Sequence, residues 1–260
     1  MLLRVIPRLN DAVGQGGNHY CFINHVINKV NFSHRSYEKE LLDRDDIPFE
    51  DIRINMHELD VINRRLGGHQ INITAMKALL HQYTLHQTII IAEIGCGGGD
   101  NLRALYNWTK KNKINARFIG IDINAHCIAY ASANNEIPGA RWIVSDYREM
   151  NFDEKPTIIF SSLFCHHFTD DEILEMLGWM KSNATLGFFI NDLHRHWLAY
   201  HSIRLITANF SSSYLVKNDA PLSVRRGFSR KDWERLIVKA GIEHYSIQWK
   251  WAFRWLIMVN

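Results

Sequence analysis

The chain predicts an α/β fold around a parallel sheet, and three observations carry that prediction. Ile89-Ile90-Ile91-Ala92 is an uninterrupted apolar run of the kind found in strands buried on both faces. The run breaks on the glycine cluster Gly95, Gly97, Gly98, Gly99, and a helical pattern starts at Asn101-Leu102-Arg103-Ala104-Leu105. Downstream, short apolar runs alternate with amphipathic stretches as far as Gly241. A strand, a tight glycine turn and a helix N-terminus together let a ligand lie against backbone N–H groups.

Composition excludes several other classes. A 260-residue chain with 47% hydrophobic and 22% charged residues fits one large domain with an appendage. A formal charge of +3 is too mild to argue for nucleic acid as a partner. Cys21, Cys96, Cys127 and Cys165 form no C-x-x-C pair, and the 14 histidines form no metal-ligand tract, so neither a disulfide framework nor a metal is indicated. No apolar run reaches the roughly 18 residues of a membrane helix. The expectation is a reduced, cytoplasmic protein without membrane insertion; the sequence leaves the oligomeric state open.

In chain order, residues 1–30 carry glycines and no amphipathic period, and read as a disordered leader. Residues 31–85 read as an N-terminal helical cap. Pro48 suits a helix start, and Ile52, Met56, Leu59, Ile62 and Leu66 recur at helical spacing up to Gly67-Gly68. A second helix is expected from Asn72 to Tyr83. From residue 86 the strands are Ile89–Ala92, Arg117–Asn124, Arg141–Tyr147, the stretch Thr157–Phe168 as a strand running into a loop, and Leu186–Asp192. Helices lie between them, including one capped by Asp170 and Asp171. A stretch at about 193–228 interrupts the alternation. Its first part is helix-spaced to Phe210, and a basic segment runs from Pro221 to Lys231. Ser229 with Asp232 is an N-cap pattern. Tyr245–Trp249 and Phe253–Val259 close the chain as an antiparallel hairpin.

The glycine spacing narrows the ligand. A dinucleotide fingerprint starting at Gly95 would want glycine or alanine at position 100, where Asp100 stands. The pattern present is Glu93-x-Gly95-x-Gly97-x-Gly99. Asp122 follows at a second strand end, at about the 20-residue distance used for ribose recognition in the dinucleotide case. Asp146 follows the third strand. This series resembles the class I S-adenosylmethionine-dependent methyltransferases over about residues 73–260. The segment beginning Arg35-Ser36-Tyr37 and the ending Leu163-Phe164-Cys165-His166-His167-Phe168 resemble the small-molecule, quinone- and polyketide-tailoring members. On this account the leader is an over-long start.

The resemblance implies a seven-stranded, mostly parallel sheet with helices on both faces and S-adenosylmethionine as cofactor. It places Glu93, Gly95, Cys96, Gly97, Gly99, Asp122, Ile123, Asp146, Tyr147, Ser162 and Leu163 along that cofactor. Asp122 would hold the ribose hydroxyls and Asp146 the adenine amino group. Thr157 stands where the family often has an acidic residue. Methyl transfer needs no covalent intermediate, and a histidine base would add roughly 10²–10⁴-fold for a hydroxyl acceptor. His167 and His194, each after a strand end, are the candidate bases. His166, Arg195, His196, Trp197 and Tyr200 are the candidate acceptor contacts. The acceptor expected is a small hydroxylated aromatic or polyketide-like molecule methylated on oxygen. A non-catalytic cofactor-binding or partner-activating subunit, and transfer to carbon or nitrogen, are the alternatives. The absence of an Asn-Pro-Pro-Tyr tetrad after the fourth strand speaks against nucleic-acid methylation.

Overall fold

A computed structural model describes residues 30–44, 46–81 and 87–260. The expected leader therefore lies outside the described residues except for Val30, as does the end of the second expected helix. Residues 32–260 form one unit.

Seven strands make one sheet: β1 (Ile89–Ile94), β2 (Ala116–Asp122), β3 (Arg141–Val144), β4 (Ile158–Ser162), β5 (Gly187–Leu193), β6 (Tyr245–Lys250) and β7 (Arg254–Val259), in the order β3-β2-β1-β4-β5-β7-β6. β7 runs antiparallel to both β5 and β6, and the pairs among β1 to β5 are parallel. The fold class is the one expected. β1 is buried along its whole length because it lies at the centre, between β2 and β4. Chain order reverses at β1, and open α/β sheets bind ligands outside the strand ends at such a switch point.

Among the described residues eight α-helices accompany the sheet: α1 (Phe49–Arg65), α2 (Gly68–Leu80), α3 (Asp100–Lys111), α4 (Ala125–Asn134), α5 (Asp170–Asn183), α6 (Trp197–Phe210), α7 (Tyr214–Arg226) and α8 (Arg230–Lys239). One cluster joins β1, β4 and β5 residues to α5 and α8 through Ile173, Met176, Trp233 and Leu236. A second joins strand residues to α2 and α3 through Met76, Leu79, Leu102 and Leu105. Each fully buried large side chain contributes about 1.5–3 kcal/mol. On that second face Phe160 stacks on Phe189 at 4.8 Å.

Two local expectations are corrected. The cap of α5 is Thr169, not Asp170 or Asp171: its backbone N–H and hydroxyl both donate to Glu172, each at 2.7 Å. Asp170 instead accepts from Arg35 at 2.8 Å and Arg235 at 2.6 Å. Pro221 lies inside α7, although a proline normally breaks a helix. The burial of Leu215, Val216, Leu222 and Val224 on α7 holds the helix together around it. The Ser229–Asp232 capping box of α8 is present as read.

Candidate active site

Gly95, Gly97 and Gly99 have φ of 64°, 49° and 75°, the left-handed region that glycine enters without a Cβ clash. At Gly99 a Cβ would sit 2.6 Å from the Trp142 ring, and at Gly95 it would sit 2.1 Å from the Phe164 ring. A Cβ on Gly97 would lie 3.5 Å from Met56 Sδ, so α1 lies over the turn. Asp122 is not the N-cap of α4; Asn124 fills that place, accepting from His126 and Cys127. The Asp122 carboxylate accepts from the Gly97 and Asn124 N–H groups, both at 2.9 Å. Burial pushes Asp122 above the usual carboxylate range, against the pull of those N–H groups and of His167.

A cavity of about 150 Å³ opens beside these groups. It gathers Gly95, Asp122, Ile123, Asp146 and Tyr147 from the expected set, and adds Ser145, Arg148, Phe164 and Phe168. Asp146 is paired with Arg148 at 2.5 Å, which holds its carboxyl below the ordinary range. Tyr147 is buried edge-on against Phe164, Phe168 and Trp179, and burial raises its phenol. The two phenylalanines belong to the segment read as significant, but nothing in their spacing marks them as cavity walls.

Under the turn runs a chain of buried amides. Asn191 donates to Asn72 at 2.8 Å, Asn72 to Asn101 at 2.9 Å, and Asn101 to Glu93 at 2.9 Å. Glu93 Oε2 and Asn191 Oδ1 are buried without a hydrogen-bond partner. Glu93 is raised well above the usual carboxylate range by burial and by the charges of Asp100 and Asp122. Cys96 is buried next to the turn, and burial raises its thiol as well. At the end of β4, Ser162 accepts from Asn191 at 3.3 Å. Leu163 follows at φ 55°, a strained setting for leucine of the kind that collects at functional sites.

The expected histidines fall into two clusters. His166 and His167 sit in the single turn Cys165–His167, their ring centroids 4.5 Å apart. His166 Nδ1 lies 2.8 Å from Asp192, and His167 Nδ1 lies 3.1 Å from Asp43. Burial works to lower His167, but the Asp43 hydrogen bond and the Glu40 and Asp43 charges outweigh it and hold the imidazole above its ordinary value. His194 and His196 form the other cluster with Phe253 and Trp255. Burial, and then the charges of His196 and Arg195, push His194 down to about 4.

Two expected acceptor contacts are corrected. Arg195 is buried and donates to the carbonyls of Phe32 at 2.9 Å and Gly227 at 2.6 Å, with Asp232 at 3.0 Å, so its guanidinium is used within the chain. His166 is 3% exposed and engaged by Asp192, which leaves no face for an acceptor. Trp197 is exposed at the start of α6, and Tyr200 packs edge-on against Phe32 at 5.6 Å. His196 is the N-cap of α6, its Nδ1 accepting from Leu198. Glu40 and Asp43, which complete the first cluster, were not legible because their positions lie far from His166 in the sequence.

A family model described as a methyltransferase domain matches residues 91–187. Among solved structures the chain resembles the plantazolicin methyltransferase BpumL in complex with SAH, at 17% identity and TM-score 0.59, covering 83% of this chain and 91% of that one. It also resembles an S-adenosylmethionine-dependent methyltransferase from Aquifex aeolicus, at 16% identity and TM-score 0.51, covering 70% and 87%. The magnesium protoporphyrin IX methyltransferase of Synechocystis with bound SAH follows at 14% identity and TM-score 0.50, covering 75% and 84%. No curated protein matches the sequence.

The solved structures of BpumL and of the Synechocystis enzyme hold SAH, the demethylated form of S-adenosylmethionine, the cofactor expected here. The residues present fit it: a turn that excludes a Cβ, a carboxylate at the second strand end, an apolar-walled cavity, and an unpartnered buried oxygen on Glu93. Among the described residues no helix is long and apolar enough to cross a membrane.

Proposed function

We propose that this chain transfers a methyl group to an oxygen of a small hydroxylated aromatic or polyketide-like acceptor. One observation carries the reading. Phe164 and Phe168 line the cavity beside the glycine turn, and His167, which adjoins Phe168 in the chain, has its Nδ1 held by Asp43. A ring fixed through Nδ1 presents Nε2, the nitrogen that would take the acceptor's hydroxyl proton. His194 at the end of β5 is the second candidate for that role. Solved structures with this fold include a plantazolicin methyltransferase and a magnesium protoporphyrin IX methyltransferase, which supports an extended organic acceptor.

The cofactor supplies an electrophilic methyl on a sulfonium. The chain's own part is alignment. Asp122 would hold the ribose hydroxyls, Ile123 and Tyr147 would flank the adenine, and Asp146 would face its amino group. The glycine turn would receive the amino-acid portion above Glu93. Holding two reactants in line lowers a barrier by about 7–11 kcal/mol at best, so positioning can supply most of the catalysis. His196, Trp197 and Tyr200 would furnish flat walls for an aromatic ring.

The test is a screen of phenols, quinones, acids and amines with cofactor carrying a labelled methyl, followed by His167→Ala and His194→Ala. Loss of rate with cofactor affinity intact supports the assignment. Wild-type rates in both variants, or methylation on carbon or nitrogen, overturn it.

A further inference from the structure

Three ligand atoms from distant parts of the chain converge beside the cofactor cavity. The Glu40 carboxylate and one ring nitrogen each of His166 and His167 all lie within 4.8 Å of one another. Glu40 Oε1 is 3.6 Å from His166 Nε2, and Glu40 Oε2 is 3.8 Å from His167 Nε2. These separations are too long for hydrogen bonds. Glu40 Oε1 also accepts from the Ser223 hydroxyl at 2.7 Å, yet both imidazole Nε2 atoms still face this carboxylate with no donor between them and it. Ligands about 2.0–2.2 Å from a tetrahedral ion lie roughly 3.3–3.5 Å apart, so a contraction of a few tenths of an ångström would bring Glu40 to that spacing from each ring.

The far side of each ring strengthens the case. His166 Nδ1 faces Asp192 at 2.8 Å and His167 Nδ1 faces Asp43 at 3.1 Å. A carboxylate on one imidazole nitrogen fixes the tautomer and turns the other nitrogen toward a metal. Charge points the same way. Glu40, Asp43 and Asp192 are carboxylates, and Arg226 is the guanidinium set against them, 3.9 Å from Glu40 and 3.8 Å from Asp43. Arg254 acts on Asp192 as well, and with neutral imidazoles the group is still net negative, a balance that ring protons or a cation would offset.

We propose that Glu40, His166 and His167 form a binding site for a divalent transition-metal cation, with zinc as the best match to two imidazoles and one carboxylate. That donor set occurs in catalytic zinc sites with a fourth position open. The site goes beyond the proposed methyl transfer and stands without it. Only one consequence rests on that reading: the cation occupies the His167 lone pair assigned to the acceptor proton, so bound zinc suppresses transfer. A second group, Asp60, His69 and Asp100, is also within ligand distance. There the imidazole nitrogen is already engaged by a carboxylate: His69 Nε2 meets Asp100 at 2.7 Å, while Asp60 accepts from Arg103 at 2.7 Å. This group serves as the control.

The test uses the full chain stripped by a chelator and titrated with Co²⁺, whose visible absorption reports low-coordinate nitrogen and oxygen ligation, then with Zn²⁺ against a chromogenic chelator. One equivalent is expected, with Zn²⁺ abolishing the cobalt spectrum. Glu40→Gln and His167→Gln should weaken binding at least 100-fold, and Asp43→Asn by about 10–100-fold, as for carboxylates behind a ligand. His69→Gln should leave the spectrum unchanged. Circular dichroism on each variant separates lost binding from lost folding, and Asp43→Asn, at a half-exposed position, keeps the test open if the buried variants unfold. No binding by the wild type, a spectrum unchanged in folded Glu40→Gln, or one lost in His69→Gln overturns the site. Methyl transfer that persists with zinc bound overturns only the assignment of His167 as base.

Discussion

The Asp122 carboxylate accepts the Gly97 N–H at 2.9 Å, joining the end of β2 to the middle of the turn that follows β1. One side chain therefore shapes the turn and faces the cavity beside it. Hydrogen bonds to a charged group contribute about 1.5–3 kcal/mol each. Asp122→Ala is expected to weaken S-adenosylmethionine binding by roughly 2 kcal/mol or more, about 30-fold, by calorimetry. Wild-type affinity would place the ribose elsewhere.

Gly95 and Gly139 separate backbone strain from contact. Both have positive φ, 64° and 72°, but a Cβ meets the Phe164 ring only at Gly95, while at Gly139 nothing lies within 4 Å. Gly139→Ala should cost about 1–2 kcal/mol in urea unfolding, the price of the left-handed setting alone. Gly95→Ala should cost about 1–3 kcal/mol beyond that, because the ring must move, and should weaken cofactor binding too. Equal losses would show that Phe164 yields freely.

Arg195→Ala should act on stability and not on the acceptor. The guanidinium holds two carbonyls and Asp232 while almost wholly buried. Removing one partner of such a pair costs about 3 kcal/mol or more. A drop in melting temperature is expected; an unchanged melting temperature with a raised KM would return Arg195 to substrate binding.

His194 gives stability a defined pH dependence. Its folded-state value is about 4, below the ordinary 6.5, first because it is buried. As pH falls through 6.5 the unfolded chain takes up a proton that the folded chain refuses until about 4. Stability on this account is flat above 6.5 and declines between 6.5 and 4. In urea unfolding at pH 7 and pH 5, His194→Gln should lose less stability than the wild type over that interval. Identical losses would mean that His194 titrates normally.

What could be read from the sequence was local. The isoleucine run, the glycine turn and Asp122 announce themselves within a few residues, because strand burial and positive φ are decided by near neighbours. The arginines between residues 195 and 235 could not be placed from the sequence, since counting charges takes no account of burial. Arg195 and Arg226 are inside, Arg225 pairs with Glu38, and Arg235 pairs with Asp170. Pro221 hid α7, whose buried face outweighs a local preference. The partners of His166 and His167 were invisible for a different reason. Asp43, Glu40 and Asp192 meet the histidines only after the chain has folded back on itself.

The amide chain from Asn191 through Asn72 and Asn101 to Glu93 sets the limits of what can be cut away. The stretch that matches the methyltransferase model ends at residue 187 and begins at 91, leaving Asn72 on one side and Asn191 on the other. An excised 91–187 fragment would keep the Asn101–Glu93 hydrogen bond but strip Asn101 of the Asn72 amide that donates to it. The segment by which kinship is detected is therefore shorter than the smallest piece able to stand alone, and evolution has had to keep α2 and β5 in step with a motif that contains neither.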